Sequence, residues 1–456
     1  MRRLLLACLL MGSAHAFAFD RLHVEGYTLP NGLQLLLKPG TERGHVAIRL
    51  VVGVGLDDFR CEDKELPHLL EHLLFSGIDG GGEGDLEERM QALGGEWNAY
   101  TRDADTSFVI EAPAQQQRAV LDLLLASLFN TELDERKVAA AKRVVERENG
   151  GHYSNLQRLL DQQNLGREAH QQLAVELGLA CAERAPLAAL TLEQLEQLRE
   201  DWYVPNNMTL ILVGDLDPRL PAYLDRSFGT LPASELPEPR ELPTASHTAE
   251  ARRSLFDGLI GDHASLHWIF PEPWVGEHDA QTWELLSDYL DWQLYRRLRI
   301  ELGLAYGPWS ERNVYGGSSF FSLNAELQRS DLAAAERVLR TLVHDVQRDG
   351  LEPETWQRLQ QAAVAKQVWA VQGNSALATY YWNALSDYAD GHFRDPAERL
   401  QKVSLKQAND AIHQLFQQPG YVRIEQPLLS VVGLYWLIGA VAVALLLLMF
   451  AWRRRA

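Results

Sequence analysis

Cysteine is scarce in this 456-residue chain: Cys8, Cys61 and Cys181 are all there is. Cys8 lies in an N-terminal apolar stretch, too early to serve as a lipid-bearing cysteine. The remaining two can close one bond in an oxidising compartment, but they make neither a disulfide framework nor a thiolate metal site. Positive charge is short as well. Forty-three Lys and Arg face 62 Asp and Glu, a formal charge of −19. That deficit excludes an electrostatic grip on nucleic acid or on anionic lipid. An acidic surface favours basic peptides, although solubility is the plainer reason for it.

The two ends address the chain. Met1-Arg2-Arg3 is followed by an apolar run, then by small residues at Ala14, Ala16 and Ala18, the order of a secretory signal peptide over residues 1–18. Residues 428–452 carry no charge and are followed by Arg453, Arg454 and Arg455. Twenty-five residues make a helix of about 37 Å, enough for a hydrocarbon core of about 30 Å. The arginines mark the cytoplasmic side. The expectation is an inner-membrane, single-pass protein whose bulk lies in the periplasm, with residues 453–456 as a cytoplasmic tail.

Between those ends one pattern occurs twice. Strand-like residues 45–52 precede one helix, and residues 263–270 precede another running from Asp279 to Arg299. Each half continues with a strand, at Ser107 and Ser319, and an amphipathic helix beginning near Gln116 and Leu332. Each closes with a helix start and a strand, at Leu190 and Met208, then at Val403 and Tyr421. Order kept at this length favours duplication. Four prolines in residues 231–243 make a semi-extended linker. The predicted fold class is α+β: two domains, 19–230 and 248–427, joined by a linker at 231–247, each with a mainly antiparallel sheet packed by helices.

Chemistry enters at His68-Leu69-Leu70-Glu71-His72. Residues four apart share a helix face, so two imidazoles can meet one metal ion, with Glu71 near a bound water. This H-x-x-E-H pattern mirrors the H-E-x-x-H of zinc proteases. The bland alternative is an amphipathic helix whose histidines flank its apolar side. A catalytic zinc takes three protein ligands. The corresponding helix of the second half has no histidine, so the third must come from the first half. Val138, Ala141, Val145 and Glu148 step by 3, 4 and 3, placing Glu148 at the end of a buried stripe while Glu146 points elsewhere. A helix-terminal Glu in solvent is the other reading.

The chain resembles the pitrilysin/insulinase zinc metallopeptidases, the inverzincins, and within them the short two-domain branch of bacterial proteases similar to mitochondrial processing peptidase. The resemblance rests on the H-x-x-E-H helix, on Gly94-Gly95-Glu96-Trp97-Asn98-Ala99-Tyr100-Thr101 leading to Asp105-Thr106-Ser107-Phe108, on Asp201-Trp202-Tyr203-Val204-Pro205 with Val213-Gly214-Asp215, and on Arg299-Ile300-Glu301-Leu302-Gly303-Leu304-Ala305-Tyr306. It implies Zn²⁺ on His68, His72 and Glu148, and Glu71 as the base that takes a proton from water. It further implies an edge strand at Asn98 and Ala99 for an extended substrate. Arg299 and Tyr306 would contact peptide or unfolded protein at the zinc site of a partner, a second copy or a related chain. Two departures stand out: Glu148 follows His72 by one residue less than usual in the family, and Ala141 stands where a supporting Glu is common. The implied activity is membrane-anchored metalloendopeptidase; the alternative is a non-catalytic scaffold or partner subunit for an active relative.

Overall fold

The computed structural model describes residues 19–78, 84–148, 168–181, 187–273 and 280–454, so the signal-peptide residues 1–18 and Arg455 lie outside the described residues. Two large sheets carry the chain. The first contains β1 (Glu25–Thr28), β2 (Gln34–Pro39), β3 (His45–Val52), β4 (Glu96–Thr101), β5 (Thr106–Pro113) and β6 (Met208–Gly214), in the order β1-β2-β6-β3-β5-β4. The second contains β7 (Arg252–Phe256), β8 (His263–Pro271), β9 (Trp309–Tyr315) and β10 (Ser318–Gln328). After a small hairpin, β11 (Tyr388–Ala389) and β12 (His392–Phe393), it ends with β13 (Tyr421–Gln426); its order is β7-β13-β8-β10-β9. Apart from β1, the two orders are the same. In each, one pair is parallel, β2 with β6 and β13 with β7, and the remaining pairs are antiparallel.

Helices follow the same two-fold plan. The first half has α1 (Leu66–Leu74), α2 (Asp85–Ala92), α3 (Gln117–Asn130), α4 (Glu135–Glu148), α5 (Ala169–Glu176), α6 (Leu192–Trp202) and α7 (Leu220–Ser227). The second has α8 (Ala280–Leu294), α9 (Leu332–Asp349), α10 (Pro353–Trp369), α11 (Gly373–Asn383), α12 (Pro396–Lys402) and α13 (Leu405–Gln417). Local signals account for their starts. Pro67 sits in the first turn of α1, where a missing N–H costs nothing. Thr191 and Gln194 cap α6 reciprocally: Gln194 N–H donates to Thr191 Oγ1 (3.2 Å) and Thr191 N–H to Gln194 Oε1 (2.8 Å).

The inner strands β3 and β6 are mostly apolar, Arg49 excepted in the middle of β3, because both faces are covered. On one face α1, α3, α4 and α6 bury Leu69, Leu73, Leu124, Val138 and Leu195. On the other, α11 of the second half lays Leu377, Ala378, Tyr381 and Trp382 against Ala47, Val51, Ile211 and Val213. The exchange is reciprocal. Helix α5, which precedes the linker, packs Ala169, Leu173 and Ala174 on Leu255, Ile269 and Phe320 of the second sheet. A buried arginine marks each junction. Arg49 on β3 reaches Glu111 (2.7 Å) and the Ser375 hydroxyl (3.0 Å), and Arg423 on β13 reaches Glu176 (2.7 Å).

Two sequence-based boundaries move. The helix read from Asp279 to Arg299 is α8 followed by a π-helical turn, Tyr295–Glu301; Asp279 itself lies outside the described residues. The apolar C-terminal segment becomes helix α14 (Val431–Arg453), not 428–452. Leu428 and Leu429 remain extended, donating their N–H groups to the carbonyls of Gly258 (3.1 Å) and Leu259 (2.9 Å), and Ser430 then caps the helix by accepting from Gly433. Helix α14 is long and apolar enough to cross a membrane, and none of it is buried against the protein.

Candidate metal centre

Helix α1 lies with its leucines in the core and its histidines toward α4. Leu69, Leu70, Leu73 and Leu74 are fully buried, whereas the His68 and His72 side chains are 21% and 24% exposed. Helix α4 is held beside it by a buried stripe, Val138, Ala141 and Val145, and by Lys137, whose ammonium donates to the Gly77 carbonyl beyond α1 (3.3 Å). That phase brings Glu148 onto the histidines and leaves Glu146 outside. The stripe is apolar throughout; Ala141, where the family resemblance suggested a supporting carboxylate, contributes a methyl to the core.

Three ligand atoms converge. His68 Nε2 and His72 Nε2 are 3.2 Å apart, and Glu148 Oε2 lies 3.3 Å from the first and 3.1 Å from the second. Ligands at 2.0–2.1 Å from a tetrahedral zinc are separated by about 3.3 Å, so the set fits Zn²⁺ without rearrangement. One carboxylate and two neutral imidazoles also suit zinc chemically. Among the described residues this is the one group of three such side chains close enough to share an ion.

Glu71 is buried at the same helix face, and Thr101 Oγ1 donates to its Oε2 at 3.0 Å. Burial pushes its carboxyl above the usual range, against the opposing pull of His72, His68 and the Thr101 hydroxyl. Tyr203 of α6's end is wholly buried and close enough to feel the Glu71 charge; burial raises its phenol so far that it stays protonated. Strand β4 is fastened to α1 at both ends, by Thr101 on Glu71 and by Trp97 packed on Phe75 with ring centres 4.5 Å apart. Past the strand, Arg102 stacks on Trp382 (3.6 Å) and donates to Asn383 (3.1 Å), both on α11 of the second half.

Asn98 and Ala99 lie on β4, which is the free edge of the first sheet. The Ala99 N–H donates to the Oδ1 of Asn98 (2.9 Å), so the side chain covers a main-chain donor of the edge. Arg299 and Tyr306 sit together on the second half. The Arg299 guanidinium lies 4.0 Å over the Tyr306 ring and donates to the Tyr306 carbonyl. Gly303 (φ +62°) turns the chain between them. Tyr306 is 82% exposed, and among the described residues the pair contacts itself and Tyr295 rather than the His68–His72–Glu148 group.

Sequence reasoning missed two partners. Thr101 was visible in the run that ends at the edge strand but carried no role there. Glu65, 4% exposed, places its carboxylate 3.2 Å from His68 Nδ1; its signal was a Glu three residues before a motif histidine, one helical turn away. Nearby, Cys61 and Cys181 form a disulfide with Cα atoms 5.6 Å apart, joining the approach to α1 with the segment after α5.

The insulinase (peptidase family M16) profile matches residues 38–183, and the peptidase M16 inactive-domain profile matches residues 189–363. The uncharacterized zinc protease YmxG of Bacillus subtilis is 21% identical over 405 residues, 87% of this chain and 96% of that protein. The crystal structure of the periplasmic protease PqqL from Escherichia coli superposes with a TM-score of 0.69 at 19% identity, covering 88% of this chain but 47% of PqqL. A protease from Helicobacter pylori superposes with a TM-score of 0.70 at 17% identity, over 89% of this chain and 100% of that one. The chain thus spans nearly the whole of two such proteins and about half of the third.

Proposed function

The chain belongs to the M16 peptidase family, of pitrilysin/insulinase type, and on that premise we propose that it is a zinc metalloendopeptidase cutting peptides or extended protein segments. The observation that carries the reading is the convergence of His68, His72 and Glu148 within 3.1–3.3 Å of one another, with Glu71 on the same helix. Zn²⁺ held by those three, when bound, supplies a Lewis acid for the scissile carbonyl and acidifies water. Glu71 takes the proton from that water and returns it to the leaving amine. Its carboxyl, buried on the same helix face as the two histidines, stands where it can serve both halves of the transfer. Thr101 fixes one carboxylate oxygen so that the other is presented.

Asn98 and Ala99 bind substrate by strand addition to β4. Asn98 gives up its bond to the Ala99 N–H when a peptide arrives; while unoccupied, that bond blunts the edge against unwanted pairing. Arg299 and Tyr306 act on the zinc site of a partner chain, a second copy or a relative. Support comes from the exposure of Tyr306 and from a chain about half the length of PqqL.

The two domains are read as a duplication, 19–230 and 248–427, with only the first bearing metal. Their place is the periplasmic side of the inner membrane, anchored by α14. The Cys61–Cys181 bond needs an oxidising compartment, and PqqL is itself described as periplasmic. The inactive-domain match to residues 189–363 keeps a second reading in play, a non-catalytic partner subunit. Metal analysis and peptide hydrolysis on the detergent-solubilised full chain separate the two. Stoichiometric zinc with chelator-sensitive cleavage supports the peptidase; a chain that takes up no zinc and cuts no unstructured peptide is the partner subunit instead.

A further inference from the structure

We infer that Glu65 is a positioning residue of the metal centre, holding His68 in the tautomer and orientation that offer Nε2 to zinc; this rests on the zinc reading above. Glu65 occupies the N-cap of α1, where a short polar side chain would accept from the first backbone N–H groups, yet it makes no such bond. Its carboxylate turns inward instead, 4% exposed, to lie 3.2 Å from Nδ1 of His68. A carboxylate only accepts, so Nδ1 carries the hydrogen, and the neutral imidazole is left with its lone pair on Nε2. That atom is the one facing His72 Nε2 at 3.2 Å and Glu148 Oε2 at 3.3 Å.

The backbone makes the placement firm. The Glu65 carbonyl accepts from Leu69 N–H at 2.9 Å, opening the helix, so carboxylate and imidazole sit one turn apart on one rigid element. An anionic acceptor behind an imidazole raises the basicity of its other nitrogen, and outer partners of this kind are generally worth about 10- to 100-fold in metal affinity. Glu65 therefore acts through His68 and touches neither substrate nor metal.

The test uses full-length protein in detergent, wild type beside Glu65→Gln, with zinc affinity measured by chelator competition and the visible spectrum recorded after Co²⁺ substitution. Gln preserves size and an acceptor atom but removes the charge. The expected result is zinc affinity about 10- to 100-fold weaker, a shifted Co²⁺ spectrum, and Glu65→Asp lying between the two. The zinc-induced rise in Tm, each variant referred to its own metal-free form, reports the same loss where a variant is less stable. A change in metal-free Tm alone, with affinity and spectrum as in wild type, makes Glu65 a packing residue and overturns the inference. A wild-type chain that takes up no zinc overturns the metal reading and this inference together.

Discussion

Helices α1 and α8 occupy the same place in two sheets of the same strand order, each entered from a central strand, β3 or β8, and they have been used differently. Helix α8 fills its inward positions with Trp283, Leu286, Tyr289, Leu290 and Leu294, every one buried. At about 1.5–3 kcal/mol for each large side chain removed from water, its role is cohesion. Helix α1 is shorter, and two of its nine positions hold imidazoles that stay partly in solvent. Nothing about the scaffold requires a metal; α8 shows the position working as plain core. What α1 has and α8 lacks is a pair of imidazoles one turn apart, with Glu148 of α4 brought against them; α8 carries carboxylates of its own, Glu284, Asp288 and Asp291, but no histidine for them to join. On the proposed reading, the chemistry is an addition to one half of a repeated fold.

The comparison breaks most sharply at Glu71. Glu71→Gln should leave zinc bound and lower peptide hydrolysis about 10²- to 10⁴-fold, the range typical of a general base. Metal analysis alongside turnover reads both at once. Near-normal turnover with zinc confirmed would place the base elsewhere and take the chemistry out of α1.

A second substitution pair sharpens the contrast between α4 and its surroundings. Glu148→Gln should lower zinc occupancy, and Glu146→Gln should leave it as in wild type, because Val138, Ala141 and Val145 fix the helix phase. Reversal of the two would show that the deviant spacing after His72 shifts the ligand by half a turn.

How much of this was legible in the chain depends on what each feature costs to disguise. The duplicated order and the inner strands were readable because a buried sheet demands mostly apolar strands at β3, β6 and β8, whereas β13, with Arg423 and Glu425, is marked chiefly by its place in the repeated order. Helix phase left Glu148 open between a ligand and a solvated helix end, and the family resemblance chose the ligand; the structure sets its carboxylate against both histidines with the side chain half exposed. The start of α14 was misplaced by three residues because Leu428 and Leu429 are as apolar as the helix, and only backbone pairing to Gly258 and Leu259 sets them apart. Glu65 was missed since its one-turn spacing from His68 does not say whether a cap residue's side chain turns inward to the imidazole or out to solvent. The reciprocal packing of α5 and α11 was equally hidden: neither segment has a one-sided apolar pattern, and which sheet it covers is a tertiary fact.

That exchange yields a stability prediction. Arg423 is wholly buried and paired with Glu176, which also accepts from Arg253 at 2.6 Å. Glu176→Gln would leave a buried guanidinium without its counter-charge, a change that typically costs about 3–5 kcal/mol. Chemical denaturation should show it. A loss within about 0.5 kcal/mol, the scale of an ordinary surface substitution, would mean that the Arg423–Glu176 pair contributes little to holding α5 on the second sheet.

The smallest expected signal decides whether the halves cooperate within a chain or between chains. Arg299 and Tyr306 belong to the half without His68 and His72; Tyr306 is 82% exposed and Arg299, half-buried, lies against its ring. If they serve a partner's zinc, a mixture of Glu71→Gln and Tyr306→Phe chains contains sites with an intact Glu71 from one variant and an intact Tyr306 from the other. In a two-fold dimer with random exchange, half of the dimers are mixed and each has one such site, so activity should recover to about one quarter of wild type. Anchoring by α14 confines the chains to one surface and raises their effective concentration, which favours this pairing. Exchange must be verified independently, for example by transfer of a fluorescent label between chains. Should exchange be complete and both variants stay inactive, each chain finishes its own site. The contrast between the halves would then be one of labour within a single molecule, with Arg299 and Tyr306 swinging across the linker to their own α1.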